Sequence, residues 1–126
     1  MLGTLYIVAT PIGNLQDMTF RAVEVLKNSD YVLAESSART SKLLSEYNIN
    51  KRIVTFNKDN EKRKRSSILQ DLSEGMSISL VSDAGTPSLS DPGFELVKEI
   101  GSSFKVIPIP GASSLTTALS VSKIPI

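Results

Sequence analysis

The 126-residue chain carries 14 Lys and Arg against 13 Asp and Glu, and this length and balance predict a single domain over residues 1–126 without a global basic field. Cysteine and histidine are both absent, which excludes disulfides and thiolate metal sites and disfavours a zinc site. Carboxylate-bound Mg²⁺ stays open, and no residue is assigned to a metal. The N-terminus lacks the positive region of a signal peptide and no apolar run approaches the ~18 residues of a membrane helix, so we expect a cytoplasmic protein without membrane contact.

Short β-rich segments alternate along the chain with longer segments whose apolar residues recur at helical spacing, which is typical of βαβ units. The sequence therefore predicts an α/β fold: an open, mainly parallel five-stranded sheet with helices on both faces. The predicted strands are 5–9, 31–34, 52–56, 77–81 and 105–108. The predicted helices follow the capping residues 17–19, span 40–47 and 60–73, begin at 91–92, and begin at about residue 113.

Three loops after predicted strands are rich in glycine, proline and small hydroxyl residues. They are 9–14, 82–93 and 109–114, after the first, fourth and fifth strands. Glycine lets a backbone approach a ligand closely, and exposed amides with Ser or Thr hydroxyls can bind carboxylate, ribose or purine groups. Because α/β sheets bind ligands beyond the carboxyl ends of their strands, these loops are predicted to form a ligand cleft.

The loop at 82–93 is the strongest candidate, because so many special residues in one long connection are typical of a functional loop. Its two aspartates have different predicted roles. Asp91 is expected to cap the next helix with Pro92 at the first helical position, whereas Asp83 is predicted to serve the ligand. The glycine and proline residues at 11–14 and 110–111 are, taken alone, also compatible with plain turns.

The segments 5–15, 80–87, 90–93 and 108–114, taken together in order and spacing, resemble the tetrapyrrole methylase superfamily. Within it they are most similar to the bacterial 16S ribosomal RNA cytidine 2′-O-methyltransferase I group. The resemblance implies an S-adenosylmethionine-dependent methyltransferase of two α/β domains, with the cofactor between them. This chain would be the first domain, inactive alone, and its partner would be ribosomal RNA or the small ribosomal subunit. The sequence leaves a homodimer open.

The resemblance also assigns cofactor-binding residues by their place in the matching motifs. No Walker lysine is present, and the first loop has one glycine where a dinucleotide fingerprint has three, so triphosphate and dinucleotide ligands are disfavoured. The implied cofactor residues are Pro11 and Gly13 in the first loop, Ser82, Asp83, Ala84, Gly85 and Thr86 in the central loop, and Ser113 and Ser114 in the third.

Two segments depart from the pattern of the RNA-methylating group. Where that group has Glu-Asp-Thr-Arg, this chain has Glu-Ser-Ser-Ala at 35–38, with Arg39 one position later as a hypothetical substitute for the lost arginine. Where the group has His-Asn-Glu, residues 59–61 lack the histidine. The catalytic residue is therefore unassigned, with Glu35, Asp83 and Arg39 as candidates. Two alternatives stay open: methylation of a tetrapyrrole or other small acceptor, and a non-catalytic remnant of the fold.

Four consecutive cations, residues 62–65, form the one basic run of the chain. Such a run can neutralise RNA phosphates. It is also compatible with a solvated helix face, because acidic residues interleave upstream.

Overall fold

The computed structural model describes residues 2–11, 14–81, 93–111 and 121. All five predicted strands are confirmed, each within one residue of its expected ends. The predicted fifth helix lies outside the described residues, apart from the helical Val121. The elements, in chain order, are β1 Thr4–Val8, α1 Phe20–Asn28, β2 Tyr31–Ala34, α2 Ser37–Glu46, β3 Ile53–Thr55, α3 Glu61–Ser73, β4 Ser77–Leu80, α4 Gly93–Ile100 and β5 Lys105–Ile109.

The start of α2 corrects one prediction. The helix begins at Ser37 and not at residue 40, because Ser36 acts as its N-cap: the Oγ of Ser36 accepts a hydrogen bond from the backbone N–H of Arg39 at 3.4 Å. A capping serine satisfies one of the amide groups that the first helical turn leaves without a partner. Arg39 therefore lies in the first turn of a helix and not in a loop.

The five strands form one sheet in the order β3-β2-β4-β1-β5, and every pairing among them is parallel. The chain moves from β1 to β2 and β3 in one direction, then returns to β4 and β5 in the other. Since crossovers between parallel strands are almost always right-handed, this reversal places α1 and α2 on one face and α3 and α4 on the other.

The apolar residues separate into two cores that match these two faces. Val32 in β2 packs in the core of α1 and α2, whereas its neighbour Leu33 packs in the core of α3 and α4. Successive side chains of a strand point to opposite faces, so β2, with both faces covered, is buried along its whole length. Within the described ranges, the helices are too short or too polar to cross a lipid bilayer.

Side-chain hydrogen bonds and a contact between a cation and an aromatic ring join polar groups at the amino end of the sheet. The hydroxyl of Tyr31 donates to Oδ2 of Asp71 in α3 at 2.6 Å, and the guanidinium carbon of Arg52 lies 4.7 Å from the centre of the Tyr31 ring. Ser29 donates to the carbonyl of Val25, so the fully buried Ser79 supplies the hydrogen in the 2.5 Å contact between the two serine hydroxyls. These contacts join α1, α3 and the central strands.

Gly3 allows β1 and the end of α3 to approach each other. Its backbone N–H donates to the carbonyl of Leu72 at 2.8 Å, and a Cβ atom at this position would lie 1.9 Å from the carbonyl oxygen of Met76. That separation is far below van der Waals contact, and the clashing atom belongs to the backbone. Only glycine fits without a shift of the chain.

We expect Gly3→Ala to lower the free energy of unfolding by about 3 kcal/mol, at the upper end of the usual cost of overpacking, because backbone must move to admit the methyl group. Urea unfolding measures the change. Leu2→Ala, at an exposed neighbour, is the matched control and should stay within about 0.5 kcal/mol of the parent. Equal stability of the two variants would contradict the close approach.

Tyr31→Phe should change how stability depends on pH. Burial and the hydrogen bond to Asp71 raise the pKa of Tyr31 well above its ordinary value of 10.0. Once the pH exceeds this ordinary value, Tyr31 of the unfolded chain loses its proton while Tyr31 of the folded chain keeps it. The free energy of unfolding of the parent therefore falls as pH rises.

Near pH 7, the free energy of unfolding of Tyr31→Phe should be about 1–3 kcal/mol lower than that of the parent, because the hydrogen bond to Asp71 is lost. At alkaline pH, its free energy of unfolding should fall less steeply with pH than that of the parent. Tyr6→Phe, which leaves Tyr31 intact, should keep the decline of the parent. Parallel alkaline profiles for the parent and Tyr31→Phe, measured by urea unfolding, would show that the Tyr31 proton is not linked to folding.

Candidate functional site

The strand order groups the three glycine- and proline-rich loops on one half of the carboxyl edge of the sheet. β4, β1 and β5 are neighbours, and these are the strands that the loops at 82–93, 9–14 and 109–114 follow. The helices that follow β1 and β4 pack on opposite faces of the sheet, and α/β sheets bind ligands beside neighbouring strands of this kind. The predicted ligand cleft therefore has a defined place in the fold, beside the end of β1.

The described parts of the first and third loops contact each other. The N–H of Ala9 donates to the carbonyl of Ile109 at 3.2 Å. A Cβ atom on Gly111 would lie 3.2 Å from Cβ of Ala9 and 3.7 Å from Cγ2 of Thr19. The absence of a side chain at Gly111 thus lets the two loops pack closely at the end of β1.

A pocket of about 200 Å³ lies between the first loop and α2. Thr10 and Thr40, both almost fully buried, bring hydroxyl-bearing side chains to it, and the exposed Arg39 and Lys42 bring cations. Its remaining lining is apolar or proline. The lining residues are Thr10, Pro11, Leu15, Arg39, Thr40, Lys42 and Leu43.

A hydrogen bond from the hydroxyl of Tyr47 to the carbonyl of Leu15 holds the residue that follows the first loop against the end of α2. Asn14, the last residue of that loop, accepts at its Oδ1 a hydrogen bond from the N–H of Gln16 at 2.9 Å. These two contacts fix residues 14–16 beside α2, next to the pocket.

The structure brings two of the sequence-predicted residues together: Pro11 and Arg39 line the same pocket. Glu35 is exposed in the link between β2 and α2. Thr40 and Lys42 were not identified from the sequence, because a threonine and a lysine within a helical segment carry no local signal of a pocket. The predicted residues that lie outside the described ranges are Gly13, Ser82, Asp83, Ala84, Gly85, Thr86, Ser113 and Ser114.

Two residues of the Asp-Asn-Glu segment at 59–61 have structural roles in the turn between β3 and α3. Asn60 is buried, its Nδ2 donates to the carbonyl of Thr55 at 3.0 Å, and its Oδ1 accepts from the N–H of Asn57 at 2.9 Å. Glu61 pairs with Arg65, one helical turn later, at 3.2 Å. Both side chains therefore stabilise the entry into α3.

The four cations at 62–65 have different surroundings in α3. Arg65 is engaged by Glu61 and, at 2.9 Å, by Glu99 of α4. Lys62 and Arg63 are exposed in the first turn. The helix dipole places partial positive charge at that end, so cations there are electrostatically unfavourable. Stability does not account for their position.

Lys62→Ala should therefore raise the free energy of unfolding by about 0.3–1 kcal/mol at low ionic strength. Lys98→Ala is the matched control, since Lys98 lies in the last turn of α4, where the dipole favours a cation. This substitution should lower the free energy of unfolding by a similar amount. Urea unfolding at low and high salt measures both changes, which should shrink as salt screens them. A loss of stability in Lys62→Ala would indicate a structural role for this lysine.

Comparison with known proteins gives matches over nearly the whole chain. The family described as Tetrapyrrole (Corrin/Porphyrin) Methylases matches residues 4–126. The protein named ribosomal RNA small subunit methyltransferase I from Halalkalibacterium halodurans is 49% identical over 98% of this chain and 43% of its own length. The protein of the same name from Thermotoga maritima is 46% identical over 98% of this chain and 56% of its own length. The chain thus spans about half the length of these curated relatives.

Solved structures share the fold at much lower sequence identity. Uroporphyrin-III-C-methyltransferase from Thermus thermophilus superimposes with a TM-score of 0.75 at 21% identity, covering 99% of this chain and 55% of that protein. Diphthine synthase superimposes with a TM-score of 0.75 at 18% identity, covering 98% of this chain and 50% of that protein. At these identities the likeness concerns the fold alone.

Proposed function

This chain belongs to the tetrapyrrole (corrin/porphyrin) methylase family, and we propose that it is the S-adenosylmethionine-binding half of a methyltransferase acting on small-subunit ribosomal RNA. The observation that carries the proposal is the 49% identity, over nearly the entire chain, to a protein named ribosomal RNA small subunit methyltransferase I. The acceptor in this proposal is the ribose 2′-hydroxyl of a cytidine in 16S ribosomal RNA, as the motif resemblance implies.

The cofactor would lie at the carboxyl ends of β4, β1 and β5. The described residues fit such a group: Gly111 keeps the third loop close to Ala9 without a side chain between them, and Pro11 fixes the loop after β1. S-adenosylmethionine, when bound, supplies an electrophilic methyl group. The residues proposed to hold it are Pro11, Gly13, Ser82, Asp83, Ala84, Gly85, Thr86, Ser113 and Ser114.

These residues suit a small polar cofactor better than a polyphosphate. Backbone amides and hydroxyls can pair with carboxylate, amino, ribose and adenine groups, none of which needs the dense positive charge of a triphosphate site. The protein contributes mainly by positioning, since a correctly oriented donor and acceptor react far faster than free partners. A ribose hydroxyl must also lose its proton, and the available carboxylates for that role are Glu35 and Asp83.

The proposal includes a second domain. The named relatives are about twice as long as this chain, and a cofactor held between two α/β domains would need both to be enclosed. The RNA acceptor would then contact both halves, and this chain alone would bind ligands without methylating RNA. A homodimer is compatible with this arrangement and is not required by it.

Calorimetric titration of this chain with S-adenosylmethionine and S-adenosylhomocysteine tests the cofactor assignment. We expect saturable binding that Asp83→Ala weakens by about tenfold or more, the effect of losing a hydrogen bond to a charged group. Glu74→Ala is the matched control, because it removes one carboxylate from the exposed turn after α3, at the opposite end of the sheet, and should leave the affinity unchanged.

If neither ligand binds this chain, the titration is repeated on the protein with its second domain. Binding restored there would place part of the site on that domain. No binding in either form would contradict the cofactor assignment, and equal weakening by Asp83→Ala and Glu74→Ala would contradict the role of Asp83.

A further inference from the structure

The strand order that gathers the glycine-rich loops also separates them from the charged connections. β2 and β3 are neighbours at the other end of the order β3-β2-β4-β1-β5, and the helices that follow them are α2 and α3. In chain order these two connections lie between the loops that follow β1 and β4. In the folded sheet they occupy their own half of the carboxyl edge.

Four exposed cations lie within the first two turns of these two helices, and Lys58 is exposed in the link before α3. Arg39 and Lys42 are in the first two turns of α2, and Lys62 and Arg63 are in the first turn of α3. The links into the helices are short, so these turns stay close to the ends of β2 and β3. Because α2 and α3 cover opposite faces, the cations flank the sheet edge from both sides. We call these four residues the cationic edge.

The placement of the cationic edge opposes the helix dipoles. A cation in a first helical turn faces the partial positive charge of the free amide groups, and an acidic residue would be more stable there. α2 has no acidic residue in its first turn, and the acid of α3, Glu61, is paired with Arg65. A phosphate placed beside these turns would be attracted by the side chains and by the helix ends together.

The pocket between the first loop and α2 connects this surface to the cofactor half. Arg39 and Lys42 line it from the cationic edge, and Thr10 and Pro11 line it from the loop after β1. A chain of nucleotides that crossed the cationic edge could therefore place one residue in the pocket, with hydroxyl-bearing and apolar side chains around it and cations at its rim.

We propose that the backbone of the acceptor RNA binds along the cationic edge, so that its phosphates contact Arg39, Lys42, Lys62 and Arg63 while the modified nucleotide lies toward the cofactor half. This assignment rests on the proposed RNA methyltransferase function and adds the surface that holds the RNA. Glu35 and Asp59 are exposed on the same edge, so binding depends on these particular cations and not on a uniformly positive field.

Binding of a short, cytidine-containing RNA hairpin to this chain, measured by fluorescence anisotropy across a range of salt concentrations, tests the proposal. The test variant carries Arg39→Ala, Lys42→Ala, Lys62→Ala and Arg63→Ala. The control variant carries Lys27→Ala, Lys51→Ala, Lys98→Ala and Lys105→Ala. The control positions lie at the amino end of the sheet or in last helical turns, and both variants lose the same charge.

Each phosphate contact contributes a slope of about −0.7 to −0.9 to the plot of log affinity against log salt, so the test variant should lose about 3 from the slope of the parent. The slope of the control variant should differ from that of the parent by less than about 1, the value for a single phosphate contact. Equal slopes for the parent and the test variant would overturn the cationic edge, as would equal losses in the two variants.

Titration with S-adenosylmethionine on the parent and on a Lys62→Ala and Arg63→Ala double variant, whose positions do not line the pocket shared with Pro11, separates this inference from the proposed function. Unchanged cofactor affinity in the double variant, with a reduced salt slope for RNA binding, is the expected result. RNA binding by the parent with no effect of the four substitutions would overturn the cationic edge and leave the RNA methyltransferase proposal standing. No RNA binding by the parent, with or without its second domain, would contradict both.

Discussion

The handedness of crossovers between parallel strands is the constraint on which the rest of this structure depends. A right-twisted strand that feeds a helix returns to its sheet in one hand only, so the direction in which the chain moves across the sheet decides which face each helix covers. The chain here reverses direction once, after β3. That single reversal puts two of the described helices on each face and buries both sides of the central strands. It also makes neighbours of β1 and β4, whose following helices lie on opposite faces, which is where α/β sheets bind ligands.

The two ends of the sheet have different roles. At the amino end, the contacts among Tyr31, Asp71 and Arg52 and the close approach at Gly3 join strands to helices with little free space. At the carboxyl end, the described loops leave a pocket and exposed cations. This division follows from parallel topology, because every strand delivers its following loop to the same end.

Several residues that a motif comparison would group together separate by role in the structure. Asn60 and Glu61 hold the entry into α3, and Arg65 joins α3 to α4 through Glu99. Arg39, one position away from the expected arginine, instead lines a pocket with Pro11. Asn60, Glu61 and Arg65 make contacts that join elements of the fold, whereas Arg39 is exposed and lines a pocket. Membership of a short motif therefore does not by itself fix the structural role of a residue.

By itself the sequence determined the elements that depend on local signals: all five strands, a cap within residues 17–19 and the composition of the three loops. It missed the true start of α2, because the hydrogen bond from Arg39 to Ser36 competes with other caps that a sequence also offers. Only the tertiary structure decided the strand order, since pairing joins residues far apart in the chain and no local pattern encodes it. That order brought Pro11 to Arg39 and set the glycine-rich loops apart from the cations of α2 and α3.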